Sequence, residues 1–329
     1  MRALDLLSLA LAALIGFAVH RASLCNVKAV AELIESRSAR MLASFVKAVL
    51  WSATVAGTLV LVLHLSPAAQ MARSPFALAL AGGFAFGVGA AFNGGCSLST
   101  LQRLADGELS MMVTLAGFVL GIASWTLVEA SGAMTSLSPV MTPWMRMSWV
   151  STLVLVALWV WALQELVRLW RQTPARPWRH LILSPAYRLS AAAAVLGIAG
   201  GLLYAAQGSW TYTNFLRSEV ASAFGRSPPR AWQWLLVVAL IGGMTLSAVQ
   251  RRSFALRSPS ASQVWRHAPA GWLMGVGAAM LPGGNDTLLL SAIPTLSLQA
   301  GAAYVALLAG IAITLWAMRR ARTVAATLR

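Results

Sequence analysis

No charged residue interrupts positions 74–102, and Asp286 is the only charge between His267 and Thr295. A bilayer core of about 30 Å takes about 20 apolar residues per helix, so stretches of this kind belong in a membrane or in the centre of a large soluble core. Composition decides between the two. The chain is 58% hydrophobic and 10% charged, whereas an average soluble chain carries about 25% charged residues. So few charges leave too little polar surface to cover a soluble fold. The expected fold class is an all-α integral membrane protein, and the fourteen Trp suit a chain with two lipid–water interfaces to anchor.

Seven plain spans read directly from hydropathy: Ala3–Val19, Met41–Leu63, Leu109–Val128, Met147–Gln164, Leu189–Ala206, Ala231–Val249 and Ala300–Met318. Asp5 and Lys47 are the charges within them, each near a span end where its side chain reaches the interface. Two more apolar stretches are interrupted, one by Gly94-Gly95 and one by Pro282-Gly283-Gly284. Each reads as a broken span of two half-helices meeting near mid-membrane. Unwound backbone at that depth requires burial in protein or a cavity to line. His20–Arg37 and Gly208–Gly225 are too polar for lipid and too apolar for ordinary loops, and read as re-entrant or interfacial helices. Arg2 followed by an apolar stretch resembles a signal peptide, and Ser23-Leu24-Cys25 a lipoprotein cleavage site, but cleavage needs small residues where Leu24 stands. The segment is therefore expected to remain as a helix.

An internal repeat organises these spans. Gly87-Val88-Gly89-Ala90-Ala91 recurs as Gly275-Val276-Gly277-Ala278-Ala279, an offset of 188, and the same offset carries Cys25-Asn26 onto Thr213-Asn214. With one inserted residue, Gly94-Gly95 matches Gly283-Gly284, which makes Asn285 the counterpart of Cys96. The expected organisation is a first transmembrane repeat over residues 1–140, a linking helix and loop over 141–187, and a second repeat over 188–329. Four crossings per repeat plus the linker make nine, and an odd linker inverts the second copy, a recurrent transporter plan. Nine crossings gather nineteen of the twenty-five basic residues on one side, including Arg168–Arg188, Arg251–Arg266 and the tail from Arg319 to Arg329. The positive-inside rule makes that side the cytoplasm, with the N-terminus outside. The net charge of +16 thus serves orientation; it forms no groove-lining patch with interleaved aromatics, and no nucleic-acid partner is expected.

The candidate site lies at the breaks. Gly94, Gly95, Gly283 and Gly284 let the backbone turn and approach a ligand closely. A helix starting just after each pair directs free N–H groups and a positive dipole end at the break, and two such ends hold a small anion. Gly83/Gly87 and Gly117/Gly121 read instead as helix-packing pairs. Cys25 and Cys96 both fall at breaks; elsewhere a buried Cys is usually a small inert hydrophobe. Asp286 is an intramembrane carboxylate, a functional candidate by default, and Asn285 or Asp286 also reads as a helix cap. Glu129 and Glu165 stand at span ends as interfacial residues. Two Cys and four scattered His give no metal-ligand spacing. No phosphate-binding loop, dinucleotide fingerprint or hydrolase triad is present, so no cofactor and no enzymatic activity are expected.

At these residues the chain resembles the YeeE/YedE family of bacterial sulfur-compound transporters. The resemblance covers nearly the whole chain and rests on the region around Cys25, on Gly87–Cys96, and on Pro282-Gly283-Gly284-Asn285-Asp286-Thr287-Leu288-Leu289-Leu290. It implies a nine-span inner-membrane protein with pseudo-two-fold halves, and thiosulfate uptake along thiols by S–H hydrogen bonds. It also implies a small cytoplasmic sulfur carrier of the TusA type as partner. The thiosulfate members use three cysteines and this chain has two, so a complete three-thiol relay does not operate here. The expected function is transport of a small inorganic sulfur anion, thiosulfate first. The alternatives are a membrane-embedded sulfurtransferase working through a Cys persulfide, transport of a selenium compound, and an accessory subunit without transport of its own. Substrate-binding candidates are Cys25, Cys96, Gly94, Gly95, Gly283, Gly284, Asn285 and Asp286. Arg21, four residues before Cys25, would share a helix face with it and serve the substrate entrance.

Overall fold

A computed structural model describes residues 3–62, 70–73, 75–131, 137–141, 144, 149–172, 184, 186–281 and 283–327. Pro282, Arg2, Arg146, Arg176, Arg179 and Arg329, which enter the arguments above, lie outside the described residues.

Helices dominate. Among the described residues nine are long: α1 (Ala3–Ala22), α3 (Arg40–Leu61), α4 (Phe76–Asn93), α6 (Ser110–Ala130), α7 (Trp149–Gln172), α8 (Leu189–Gln207), α10 (Trp234–Gln250), α11 (Ala261–Met280) and α13 (Leu298–Thr327). Between them sit four short ones: α2 (Asn26–Ser36), α5 (Ser97–Ala105), α9 (Tyr212–Ser222) and α12 (Asn285–Thr287), the last running on into a π turn over Leu288–Ala292. A two-stranded antiparallel ribbon, β1 (Gln70–Arg73) against β2 (Leu137–Met141), precedes α4 and follows α6; an all-α expectation did not include it.

Eight segments among the described residues are long and apolar enough to cross a membrane, and the chain is a multi-pass membrane protein. The expected count was nine. α11 has the length, but Gln263, Arg266, His267 and Pro269 in its first half lower its hydropathy. α11 packs along α4 and α6, and within that half His267 is fully buried while Arg266 and Pro269 stay exposed.

The broken spans also differ from the half-helices expected. α4 has 18 residues and α11 has 20, about 27 and 30 Å at 1.5 Å per residue, so each is longer than half a span. Each short helix follows a long one rather than completing an equal half.

Small residues set the helix spacing. A Cβ on Gly83 would come within 2.2 Å of the Ala303 carbonyl oxygen, and one on Gly87 within 2.1 Å of that of Leu307. Gly271 and Gly275 approach Thr114 and Phe118 in the same way, at 2.1 Å each. α4 is thus pressed onto α13 as α11 is onto α6, with backbones in contact in the manner of small-xxx-small pairs. The other long contacts come in matching sets too: α1 lies along α10, and α8 along α3.

Candidate functional site

Each cysteine stands where one helix stops and another starts. α4 ends in a Schellman motif: the Gly95 N–H donates to Ala90 O at 3.0 Å and the Gly94 N–H to Ala91 O at 3.1 Å. Gly94 sits at φ 73°, the left-handed conformation this motif needs at its turn residue. α1 ends identically. Leu24 N–H donates to Val19 O at 3.2 Å, Ser23 N–H to His20 O at 3.1 Å, and Ser23 takes φ 50°. Two residues beyond each left-handed turn comes a cysteine in extended conformation, capping the next helix without a side-chain cap bond: Cys25 for α2 and Cys96 for α5. Gly283 (φ 145°) stands at the same distance before Asn285, the first residue of α12, which Gly284 caps.

Ser99 joins the two thiols. Cys25 Sγ donates to Ser99 Oγ at 3.3 Å, and Ser99 Oγ lies 3.6 Å from Cys96 Sγ and donates to Cys96 O at 2.9 Å. Both cysteines are free and 1% exposed. Sequence reasoning missed Ser99; its position three residues after Cys96, on the first turn of α5, was the available signal.

The two breaks meet. The Ser97 hydroxyl donates to Asn285 Oδ1, and both residues are buried. On the far side of that link, Thr213 donates from its hydroxyl to Asp286 Oδ1 and from its N–H to Oδ2 at 3.2 Å, while the Gly284 N–H donates to Thr213 Oγ1 at 2.8 Å. Thr213 therefore occupies in the second half the role that Cys25 has in the first, a side chain from one helix start reaching the break beside it. A Cβ on Gly284 would sit 3.0 Å from Thr213 Cγ2 and 3.1 Å from Phe86, so the glycine admits this close approach.

Four helical segments start at this junction, at Asn26, Ser97, Tyr212 and Asn285, and the first N–H groups of a helix lack intrahelical partners. Two side-chain donors add to them. Asn26 accepts from Tyr304 Oη at 3.2 Å and Asn285 accepts from Ser97, yet the Nδ2 group of each is buried and unpaired among the described residues. A buried donor without an acceptor is costly and calls for a ligand or water that supplies one. The collected donors, with no cation and no metal-ligating group of three or more acids, His or Cys among the described residues, suit an anion held by N–H and O–H groups.

The first break is braced from outside. Asn93 Nδ2 donates to Gly95 O at 3.0 Å and to Thr100 Oγ1 at 2.9 Å, while its Oδ1 receives Thr114 Oγ1 and faces His267 Nδ1, both at 2.8 Å. α4, α5, α6 and α11 are thereby pinned to one carboxamide.

Arg21 does not share a helix face with Cys25, because α1 stops at Ala22 and the chain reverses at Ser23. The guanidinium is 2% exposed and turned away, donating to Ser184 O at 2.6 Å and to Gln250 Oε1 and lying 4.9 Å over the Phe17 ring. Of the candidates named from sequence, Cys25, Cys96, Gly94, Gly95, Gly283, Gly284, Asn285 and Asp286 fall in one junction, and Arg21 falls beside it.

Comparison with known proteins points the same way. A family described as "Sulphur transport" matches residues 21–313. The thiosulfate transporter TsuA of Escherichia coli strain K12 is 24% identical over 310 residues, 86% of either chain.

Proposed function

The chain belongs to the sulphur transport family, and on that footing we propose that it carries thiosulfate inward across the bacterial inner membrane through the junction of its two breaks. The observation that carries this reading is the pair of thiols sharing Ser99, tied to the second break by Ser97 and Asn285. A divalent oxyanion loses its water at the membrane centre, and the unpaired Asn26 and Asn285 amides and the converging helix starts offset part of that loss. A neutral S–H donates a weak, easily broken bond to the terminal sulfur, which suits conduction, since a permeating ion must be held loosely enough to leave. Cys96 takes the central role, and Cys25 the passage towards the cytoplasm.

The architecture we infer is two inverted copies, residues 1–140 and 188–329, joined by 141–187. The matched packing of α4 on α13 with α11 on α6, and of α1 on α10 with α8 on α3, supports it. With α11 counted as the ninth crossing, the N-terminus is periplasmic and the C-terminus cytoplasmic. A TusA-type sulfur carrier is the cytoplasmic acceptor. Radiolabelled thiosulfate uptake in a bacterial strain lacking its own sulfur importers tests the function. Uptake that depends on this gene supports it, and none above the empty strain overturns it.

A further inference from the structure

The second break holds a carboxylate where the first holds thiols, and the anion pathway leaves it unused. Asp286 is 1% exposed, and its carboxylate accepts from Thr213 N–H and O–H. No ion pair reaches it among the described residues. The titratable groups beside it are Tyr212 from α9 and Tyr204 from α8, which line a shared cavity with it. Neither is a cation. An uncompensated carboxylate in such surroundings takes up a proton in preference to staying charged, and a dianion arriving on the other side of the Ser97–Asn285 link adds to that drive.

The hydroxyls around Asp286 are arranged to satisfy it in both states. Thr213 Oγ1 contacts Thr287 Oγ1 at 3.1 Å, and Thr287 Oγ1 contacts Thr211 Oγ1 at 2.6 Å; in each pair either oxygen is able to donate. With Asp286 ionised, Thr213 donates to the carboxylate. With Asp286 protonated, the acid donates to Thr213, which also receives the Gly284 N–H, and Thr213 passes its own proton's bond on to Thr287 and so to Thr211. A protonated carboxyl is one donor with acceptor capacity to spare, so Thr213 N–H keeps its partner throughout. Thr211 and Asp286 both line the cavity bounded by Trp210, Tyr212 and Leu240, which places the two ends of the chain against one space.

We propose that Asp286 is a proton site, loaded through the Thr211–Thr287–Thr213 hydroxyl chain, so that a proton accompanies each sulfur anion into the cell. This rests on the reading of the chain as a transporter of such an anion. The proton leaves water on the outer side, forms an O–H bond on Asp286, and returns to water on the cytoplasmic side as the anion departs. No bond within the anion breaks, and no electron moves.

The test uses the full-length protein in sealed vesicles enclosing a pH-sensitive dye, with radiolabelled thiosulfate and sodium-free buffer outside. The expected result is acidification of the lumen in step with thiosulfate entry, faster when the outside is made acidic and slowed when the pH gradient is reversed. Asp286→Asn should lose the acidification, and whatever uptake survives should no longer follow outside pH. Wild-type thiosulfate entry without acidification overturns the proton site while leaving the transport reading intact; so does entry that requires added sodium, or Asp286→Asn uptake with undiminished acidification. No thiosulfate entry at all into wild-type vesicles overturns the transport reading and the proton site with it.

Discussion

Ser97 and Asn285, 188 residues apart, are joined by a hydrogen bond from the serine hydroxyl to the carboxamide oxygen. The bond closes the two breaks onto each other. Ser97→Ala leaves a buried acceptor unpaired, at a cost of about 1–3 kcal/mol. The variant should insert normally, melt a few degrees lower, and lose uptake by about tenfold, which corresponds to about 1.4 kcal/mol. Melting and uptake measured on one preparation check this; unchanged uptake would detach the link from function.

The two glycines of the first break should fail differently. Gly94 needs its left-handed φ, but a Cβ there meets nothing within 4 Å. Gly94→Ala should therefore cost about 1–2 kcal/mol of stability with modest effect on uptake. A Cβ on Gly95 would lie 2.5 Å from Ser99 Oγ, so Gly95→Ala should push that hydroxyl off the two thiols and impair uptake more than stability. Gly95→Leu and Gly284→Leu should abolish uptake in protein that still inserts. If uptake falls in step with stability for both alanine variants, the Ser99 bridge is a packing detail.

Ser99 also ranks the thiols. Cys96→Ala should abolish uptake, Cys25→Ala should reduce it, and Ser99→Ala should fall between wild type and Cys25→Ala, since both thiols remain. Serine at position 96 should rescue poorly, because a hydroxyl binds its surroundings more firmly than a thiol. Initial rates of radiolabelled uptake give the order; Ser99→Ala below Cys25→Ala would reverse it.

The Asp106 carboxylate joins α1, α5 and α10 on the side with the basic loops, receiving His20 Nε2 at 3.1 Å and Ser253 Oγ at 2.5 Å. Burial raises its pKa, but the His20 and Ser253 hydrogen bonds and the nearby Arg251 outweigh that and hold it below the usual carboxylate range. A carboxyl depressed in the folded state contributes stability above its unfolded value of about 3.9, and that contribution is lost as pH falls through the folded value. Asp106→Asn should thus melt below wild type at neutral pH, with the gap closing in acid below about pH 4. A gap that stays constant with pH would mean the loss is one of packing.

Much of this arrangement was legible in the sequence, and the gaps have physical reasons. Apolar runs mark long helices because lipid permits no other regular element of that length, and Gly94-Gly95 and Gly283-Gly284 mark the breaks because Gly94 and Gly283 take positive φ that favours glycine. The turn after α1 was hidden: Ser23 takes a left-handed φ that non-glycine residues seldom adopt, so Arg21 and Cys25 were read on one helix, His20–Arg37, and Arg21 was placed on the wrong face. The hydroxyl chain Thr211–Thr287–Thr213 and the Asn93–His267 contact join residues 74 to 174 positions apart, and no periodicity reports such contacts. α11 looked like half of a broken span because Gln263, Arg266, His267 and Pro269 lower the hydropathy of its first turns.

Topology follows from the basic residues. Reporter fusions after α13 and between α7 and α8 should both report cytoplasm, and one between α6 and α7 the periplasm. A periplasmic signal from either of the first two would contradict the inverted-copy arrangement.

The central claim, that the thiols at the two helix starts pass an intact sulfur anion, is tested most directly with purified protein in liposomes and thiosulfate labelled separately on each sulfur. Both labels should enter together at equal rates, Cys96 should remain free of persulfide, and the Cys25→Ala, Cys96→Ala double variant should be inert. Entry of one label alone with a persulfide on Cys96, or normal uptake by the double variant, would contradict it.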